Sequence, residues 1–95
     1  MKIHLTAIIK AKEEYRNEVL ETLQNMVTET RKEAACELYS LHQGIEDKNQ
    51  FVFYEIWQNE DGLVLHNQQP YIQAFGALVD EKLQEKPQIY TTHII

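Results

Sequence analysis

Residues 36–57 read CELYSLHQ, then GIEDKN, then QFVFYEIW. The first and last of these segments, Cys36–Gln43 and Gln50–Trp57, are rich in β-branched, aromatic and apolar residues. The six residues between them are mostly polar and include Gly44, Asp47 and Asn49. This composition is typical of two antiparallel strands joined by a loop. We therefore predict a β-hairpin over residues 36–57.

The second strand of this hairpin carries apolar side chains on both of its faces. Successive residues of a strand point to opposite sides of the sheet. One face therefore presents Phe51, Phe53 and Trp57, and the other presents Val52, Tyr54 and Ile56. A sheet covered by helices on one side only should carry polar residues on the other. The pattern predicts a covered second face, and a second copy of the chain is the simplest cover.

The segments that flank the hairpin alternate between strand and helix patterns. Residues 2–10 alternate as a half-buried strand, and residues 89–95 are predicted to form the last strand. Residues 12–34 carry one apolar stripe at helical spacing, with acidic residues in the first turn and basic residues in the last. A short helix is predicted from the cap at Asn59 to about Asn67. Another begins at Pro70 and is stopped by Pro87.

The order of these elements, βαββαβ, predicts an α+β domain of the ferredoxin-like kind. In this arrangement two helices pack on one face of a four-stranded antiparallel sheet. The chain has 95 residues, the usual size of a single domain, and contains only three Gly and two Pro. That composition leaves no room for a disordered linker. We therefore expect one ordered domain over residues 1–95.

The charge and the termini exclude several classes of partner. Fifteen acidic residues against nine basic ones give a net charge of −6, and no basic cluster exceeds the Arg31–Lys32 pair. Such a surface repels a phosphate backbone, so no nucleic-acid partner is expected. The single cysteine, Cys36, cannot form an intramolecular disulfide. No signal peptide or membrane-spanning run is recognisable, and a cytoplasmic protein without a membrane partner is predicted.

Two residues outside the usual motifs are candidates for chemistry. The chain has no glycine-rich phosphate loop, no nucleophile elbow and no zinc-ligand spacing. His66 lies on the short helix, beside the end of the aromatic strand, where it either faces an apolar cavity or remains partly exposed. Glu55 lies between aromatic residues, where a carboxylate is either paired at a dimer interface or lines a pocket. The sequence leaves both choices open.

The same stretch resembles the antibiotic biosynthesis monooxygenases and their quinol-oxidising relatives. Those proteins typically show a strand C-x-x-Y-x-L-H-Q, a hairpin, a strand like F-V-F-Y-E-x-W and a later H-x-x-x-P with an A-F pair. The matching positions here are Cys36, Tyr39, Leu41, His42, Gln43, Phe51 to Glu55, Trp57, His66, Pro70, Ala74 and Phe75. The match covers about forty contiguous residues. It implies that two copies of the domain form a dimeric α+β barrel.

The resemblance also implies an activity. Members of this family oxidise a quinol or a related electron-rich aromatic with O2 as co-substrate and without a cofactor or metal. Carried over to this chain, His66 is the catalytic base. The residues expected to bind a small aromatic or apolar substrate are Tyr54 and Tyr71 as hydroxyl donors, Trp57 and Phe75 as apolar walls, and Glu55.

Departures from the family pattern leave alternatives open. Many relatives carry a second histidine where this chain has Tyr71, and haem-degrading relatives carry one at the position of Gly76, so haem degradation is not expected. Relatives that process a phosphorylated autoinducer-2 signal are similar around Tyr54, Glu55, His66 and Pro70. An isomerase or degradation enzyme for such a molecule is therefore the first alternative. A non-catalytic ligand-binding dimer module is the second.

A phosphorylated substrate would require basic side chains at the mouth of the pocket. Only Lys10, Arg16 and Lys48 are candidates for that role in this sequence. The position of these three residues therefore tests the first alternative.

Overall fold

The computed structural model describes residues 1–95, with five helical and strand elements around the hairpin. Strand β1 is Ile3–Lys10, a 3-10 turn covers Glu13–Tyr15, and helix α1 is Arg16–Thr30. The hairpin consists of β2, Cys36–Gln43, and β3, Gln50–Trp57. Helix α2 is Glu60–Asn67, helix α3 is Pro70–Lys82, and strand β4 is Gln88–Thr92. None of the helices is long and apolar enough to cross a membrane.

The four strands form one antiparallel sheet in the order β2-β3-β1-β4. Strand β1 lies between β3 and β4, so that Ala7 pairs with Phe53 on one side and with Ile89 on the other. This order, with the crossovers made through helices, is that of a ferredoxin-like α+β fold. The prediction of the fold class is confirmed.

The hydrophobic core lies between one face of the sheet, called here the inner face, and the helices. Burial on this face alternates along β1 and β3, as the period of a strand requires. The largest buried apolar side chains are Trp57, Tyr39, Phe51, Phe53, Ile9, Leu23 and Val19. Full burial of one large apolar side chain contributes about 1.5–3 kcal/mol, so this layer stabilises the packing of α1 against the sheet.

The bounds of α1 and β4 differ from the sequence predictions, and α1 begins at Arg16, after the 3-10 turn, and not near residue 12. Helix α1 ends at Thr30 and not at residue 34. The amides of Lys32 and Glu33 bond to carbonyls only three residues back, which tightens the chain into the turn that starts β2. Strand β4 ends at Thr92, whose pairing partner His4 is near the start of β1. Residues 93–95 are exposed and form no further pairs with β1.

The other face of the sheet, called here the outer face, is not covered by any helix of the chain. Its partly or fully exposed apolar side chains are Ile8, Leu38, Val52, Tyr54, Ile56 and Tyr90. Tyr90 is 53% exposed and Leu38 is 39% exposed. The expected apolar second face is therefore present, and the homodimer stays a prediction.

Candidate active site

An apolar cavity of about 90 Å³ lies between the inner face of the sheet and helices α2 and α3. Ten of its fourteen lining residues are hydrophobic. The other members include Glu55 from β3, His66 from α2 and the neighbouring Asn67. A mostly apolar cavity with a few convergent polar groups is the usual form of a small-molecule site.

The start of helix α2 explains why His66 reaches this cavity. The side-chain oxygen of Asn59 accepts a hydrogen bond of 2.8 Å from the amide of Gly62, which caps the helix. Gly62 lies directly against Ala35, where a Cβ on the glycine would overlap the Cβ of the alanine. Helix α2 therefore approaches the turn between α1 and β2 closely. His66 follows Gly62 by four residues, on the same face of the helix, and is only 4% exposed.

The imidazole of His66 is held by a carboxylate from a distant part of the chain. Its Nδ1 lies 2.8 Å from Oε2 of Glu33, in the turn between α1 and β2. The hydroxyl of Tyr71 donates to the same oxygen at 2.5 Å. Because a carboxylate only accepts hydrogen bonds, Nδ1 carries the hydrogen and Nε2 keeps its lone pair.

The charge state of His66 follows from its surroundings. Burial lowers the pKa of His66 below its ordinary value of 6.5, while the hydrogen bond and charge of Glu33 oppose that shift. The ring of Trp57 lies 4.5 Å from the imidazole, and the ring of Tyr39 lies 5.6 Å from it. The imidazole is thus neutral at neutral pH and fixed between two aromatic rings. Such a group can accept a proton through Nε2.

Glu55 is the second ionisable group in the cavity. It is 4% exposed, and its Oε1 accepts a hydrogen bond of 2.8 Å from Nε1 of Trp57. Burial raises the pKa of Glu55 from 4.5 to about 7, the nearby charge of Glu33 adds to the shift, and the Trp57 hydrogen bond opposes it. The sequence left open whether Glu55 is paired at a dimer interface or lines a pocket. In the structure Glu55 lines the pocket.

Three of the expected site residues, His66, Glu55 and Phe75, line this cavity together. Trp57 does not line it but contacts His66 and Glu55 from behind. Tyr71 does not line it either, and reaches the site through Glu33. Both residues therefore lie behind the lining of the cavity, and their expected contact with substrate stays a prediction.

Tyr54 does not line this cavity, so the structure does not bring it together with His66, and its expected role in binding substrate stays a prediction. It lies on the outer face, 38% exposed, with its hydroxyl 2.8 Å from Nδ1 of His4. Glu55 and Trp57 point to the inner face of the sheet. Because successive side chains of a strand point to opposite faces, Tyr54 points to the outer face. A family motif that includes consecutive strand residues therefore cannot place all of them in one pocket.

Two site residues were not identified from the sequence. Tyr39 lines the cavity from β2, on the same face as Leu41. The alternation of side chains along β2 could have placed Tyr39 on the buried face of the hairpin. Glu33 lies in a turn and belongs to no motif. Its pairing with His66 joins residues 33 positions apart, and no local pattern could have found it.

Basic residues and metal-ligand clusters are absent from the site. No Arg or Lys lines the cavity. Arg16 donates to Asn49 at 3.2 Å, and Lys10 pairs with Glu85 at 3.7 Å. Gly76 is exposed and lies outside the lining. No three His, Cys, Asp or Glu side chains come together in a way that could hold a metal ion. The geometry thus gives no support to a phosphorylated substrate.

The fold and the cavity define the class: a ferredoxin-like α+β domain with a buried, carboxylate-held histidine in an apolar pocket. The family described as "Antibiotic biosynthesis monooxygenase" matches residues 2–78, and the chain belongs to this family. It is 33% identical over 92 residues to "Putative monooxygenase YcnE" of Bacillus subtilis strain 168, with 97% of each chain covered.

Solved structures agree with this assignment at the level of the fold. PA3566 from Pseudomonas aeruginosa matches with a TM-score of 0.93 and 26% identity, over 99% of this chain and 94% of that one. Rv0793 from Mycobacterium tuberculosis also gives a TM-score of 0.93, at 21% identity, over 100% of this chain and 96% of its own. The family and the named relative support a monooxygenase-like function.

Proposed function

We propose that this chain is a monooxygenase that oxidises an electron-rich phenol or quinol with O2 and needs no bound cofactor. The observation that carries the proposal is His66, a neutral imidazole that lines a mostly apolar cavity and whose Nε2 has no protein partner. The family membership supports the oxidising activity in general terms. The choice of substrate and the lack of a cofactor are inferred from the chemistry of the cavity.

The proposed reaction depends on an electron that must pass from the substrate to O2. A neutral phenol gives up an electron poorly, whereas the phenolate is a much stronger reductant. Nε2 of His66 is suited to take the phenolic proton, and Glu33 on Nδ1 stabilises the imidazolium that results. The apolar lining keeps water away from the phenolate, which favours electron transfer over hydration of the anion.

The volume of the cavity limits the size of the substrate that it can hold. Its volume of about 90 Å³ is small. Pockets for drug-sized ligands usually measure about 300–1,000 Å³. The volume therefore favours a substrate with a single aromatic ring over a polycyclic one.

Oxygen uptake with a panel of single-ring phenols and quinols tests the proposal, with a blank without protein to subtract spontaneous oxidation. His66→Gln should lower kcat by about 100- to 10,000-fold, the usual contribution of one positioned base. His93→Gln, which changes an exposed histidine after β4, is the matched control and should keep the wild-type rate.

Other outcomes point to the alternatives. Equal uptake by the wild type and His66→Gln would refute the role of His66. Product formed under nitrogen would indicate an isomerase-like reaction that does not use oxygen. Binding of the panel without turnover by any member would indicate a ligand-binding module.

A further inference from the structure

Glu55 has an unused hydrogen-bonding atom that faces the cavity. Its Oε1 is bonded to Trp57, and its Oε2 has no partner in the protein. The one fully buried side-chain polar atom that lacks a partner is Oγ1 of Thr30, so Oε2 of Glu55 is not sealed off. Since Glu55 lines the cavity, this oxygen is accessible from it. A carboxyl group in an apolar wall with a free oxygen needs an explanation.

The surroundings of Glu55 leave it able to change its protonation. The ionisable groups around it are Tyr39 and Cys36 on β2, His66 on α2 and Glu33 in the turn before β2. Strand β1 and helix α1 contribute apolar side chains to the cavity, and no Arg or Lys lines it. Without a cation to hold the charge, burial sets the pKa of Glu55 to about 7, where both forms are populated.

The proposed oxidation requires two different protons to leave the substrate. The first is the phenolic proton, which His66 removes before an electron passes to O2. The superoxide then bonds to the ring carbon para to the oxygen, and the peroxide takes back the proton from His66. The second proton is the hydrogen on that same ring carbon. Its removal forms a C=O bond as the O–O bond breaks and hydroxide leaves.

We propose that Glu55 is a second catalytic residue, which removes the ring C–H proton from the peroxide intermediate and passes it to the departing hydroxide. The overall reaction is then phenol plus O2 to para-quinone plus water, with no further oxidant or reductant. Glu55 on β3 and His66 on α2 both line the cavity and both contact Trp57, so a ring bound there lies close to both groups. This inference rests on the proposed function.

The variant that tests this role is Glu55→Gln. The glutamine oxygen still accepts the hydrogen bond from Trp57, so the variant keeps the packing of the site and loses only the proton acceptor. The probe is a dimethoxyphenol with hydrogen on the para carbon, compared with the same compound carrying deuterium there. Glu46→Gln, in the exposed β2–β3 loop, is the control for the loss of one carboxylate.

Glu55→Gln should lower the rate of quinone formation by about 100- to 10,000-fold. The para-deuterated probe should then react several-fold more slowly than the protonated one, because removal of the ring hydrogen has become rate-limiting. A residue that only supports the packing would not create this isotope effect. The peroxide formed before that step should be released, so oxygen uptake should exceed quinone formation in this variant and not in Glu46→Gln.

Each outcome separates this inference from the proposed function. If the wild type makes quinone and Glu55→Gln makes it at the same rate without an isotope effect, the role of Glu55 is refuted and that of His66 stands. If the wild type consumes no oxygen with this probe or with any phenol or quinol of the panel, the proposed function fails, and the role of Glu55 fails with it.

Discussion

Burial acts on Glu55 and His66 in the same sense, by favouring the neutral form of each. Glu55 holds its proton more tightly than a carboxyl in water, and His66 holds its proton less tightly than an imidazole in water. An isolated charge in the apolar cavity would be costly, and these shifts avoid it. The same property makes both groups proton acceptors or donors near neutral pH, which is where general acid–base catalysis is most effective.

The raised pKa of Glu55 has a measurable consequence for stability. Between pH 4.5 and about pH 7 the unfolded chain has lost the Glu55 proton while the folded protein keeps it. The stabilising contribution of Glu55 to the free energy of unfolding is therefore fully present below pH 4.5, and it is lost as the pH rises through 7. The free energy of unfolding of Glu55→Gln minus that of the wild type should therefore increase by about 3 kcal/mol from pH 4 to pH 8.

Urea unfolding at a series of pH values measures this difference. Glu46→Gln, in an exposed loop, provides the comparison for removing one negative charge. A difference between Glu55→Gln and wild type that stays constant from pH 4 to pH 8 would show that the carboxyl is not shifted.

Single residues of the site were predicted from the sequence more successfully than the contacts between them. Glu55 and His66 were identified because a carboxylate among aromatics and a histidine on a short amphipathic helix are unusual. Tyr54, which the family motif grouped with Glu55, lies outside the cavity because side chains alternate between the two faces of β3. Glu33 could not be found, because its contact with His66 depends on how the turn after α1 meets α2 in three dimensions.

At the scale of elements, helix α2 is the part of the fold that decides whether the site forms. Its cap, Asn59, and its approach to the α1–β2 turn at Gly62 fix where His66 lies. The sequence predicted the cap and the bounds of this helix correctly, because capping is a local signal. The need for glycine at position 62 is a packing property that appears only when Ala35 is placed beside it.

Two glycine substitutions separate helix propensity from packing. In a helix interior, alanine is favoured over glycine by about 0.5–1 kcal/mol. At Gly76 an added Cβ meets nothing within 4 Å, so Gly76→Ala should stabilise the protein by about that amount. At Gly62 the added Cβ overlaps Ala35, and overpacking costs typically about 1–3 kcal/mol. Gly62→Ala should therefore destabilise the protein and move His66 away from Glu33.

Chemical denaturation of the two variants gives the free energies, and oxygen uptake reports the position of His66. Because only position 62 is closely packed, Gly62→Ala should lose both stability and activity while Gly76→Ala keeps its activity. Equal stabilisation by both substitutions would contradict it.

For the molecule as a whole, the topology was predicted from the order of strands and helices along the chain. Strand and helix periods along the chain predicted βαββαβ, and the short connections allow few other arrangements. The second, outer face of the sheet was visible in the same pattern, because β3 alternates between two apolar sets. Which partner covers that face is not encoded in any local pattern, since it depends on a surface built from all four strands.

We predict that two copies of the chain associate through the outer face. Sedimentation equilibrium at micromolar concentration should then give twice the chain mass of 11.2 kDa. Leu38→Asp places a charge on the outer face and should shift the protein towards monomer. Val64→Asp is the matched control, since Val64 is a comparably exposed apolar residue on α2, away from that face. A wild-type protein that sediments at 11.2 kDa would contradict the dimer.

The central claim is that a neutral His66, held by Glu33, presents a free Nε2 lone pair to the cavity. Nitrogen NMR of histidine-labelled protein measures this directly, with His66→Gln used to assign the signals. At pH 7 we expect Nδ1 to carry the hydrogen, Nε2 to carry none, and the ring to titrate below its ordinary pKa of 6.5. A doubly protonated ring at pH 7, or a neutral ring with its hydrogen on Nε2, would contradict it.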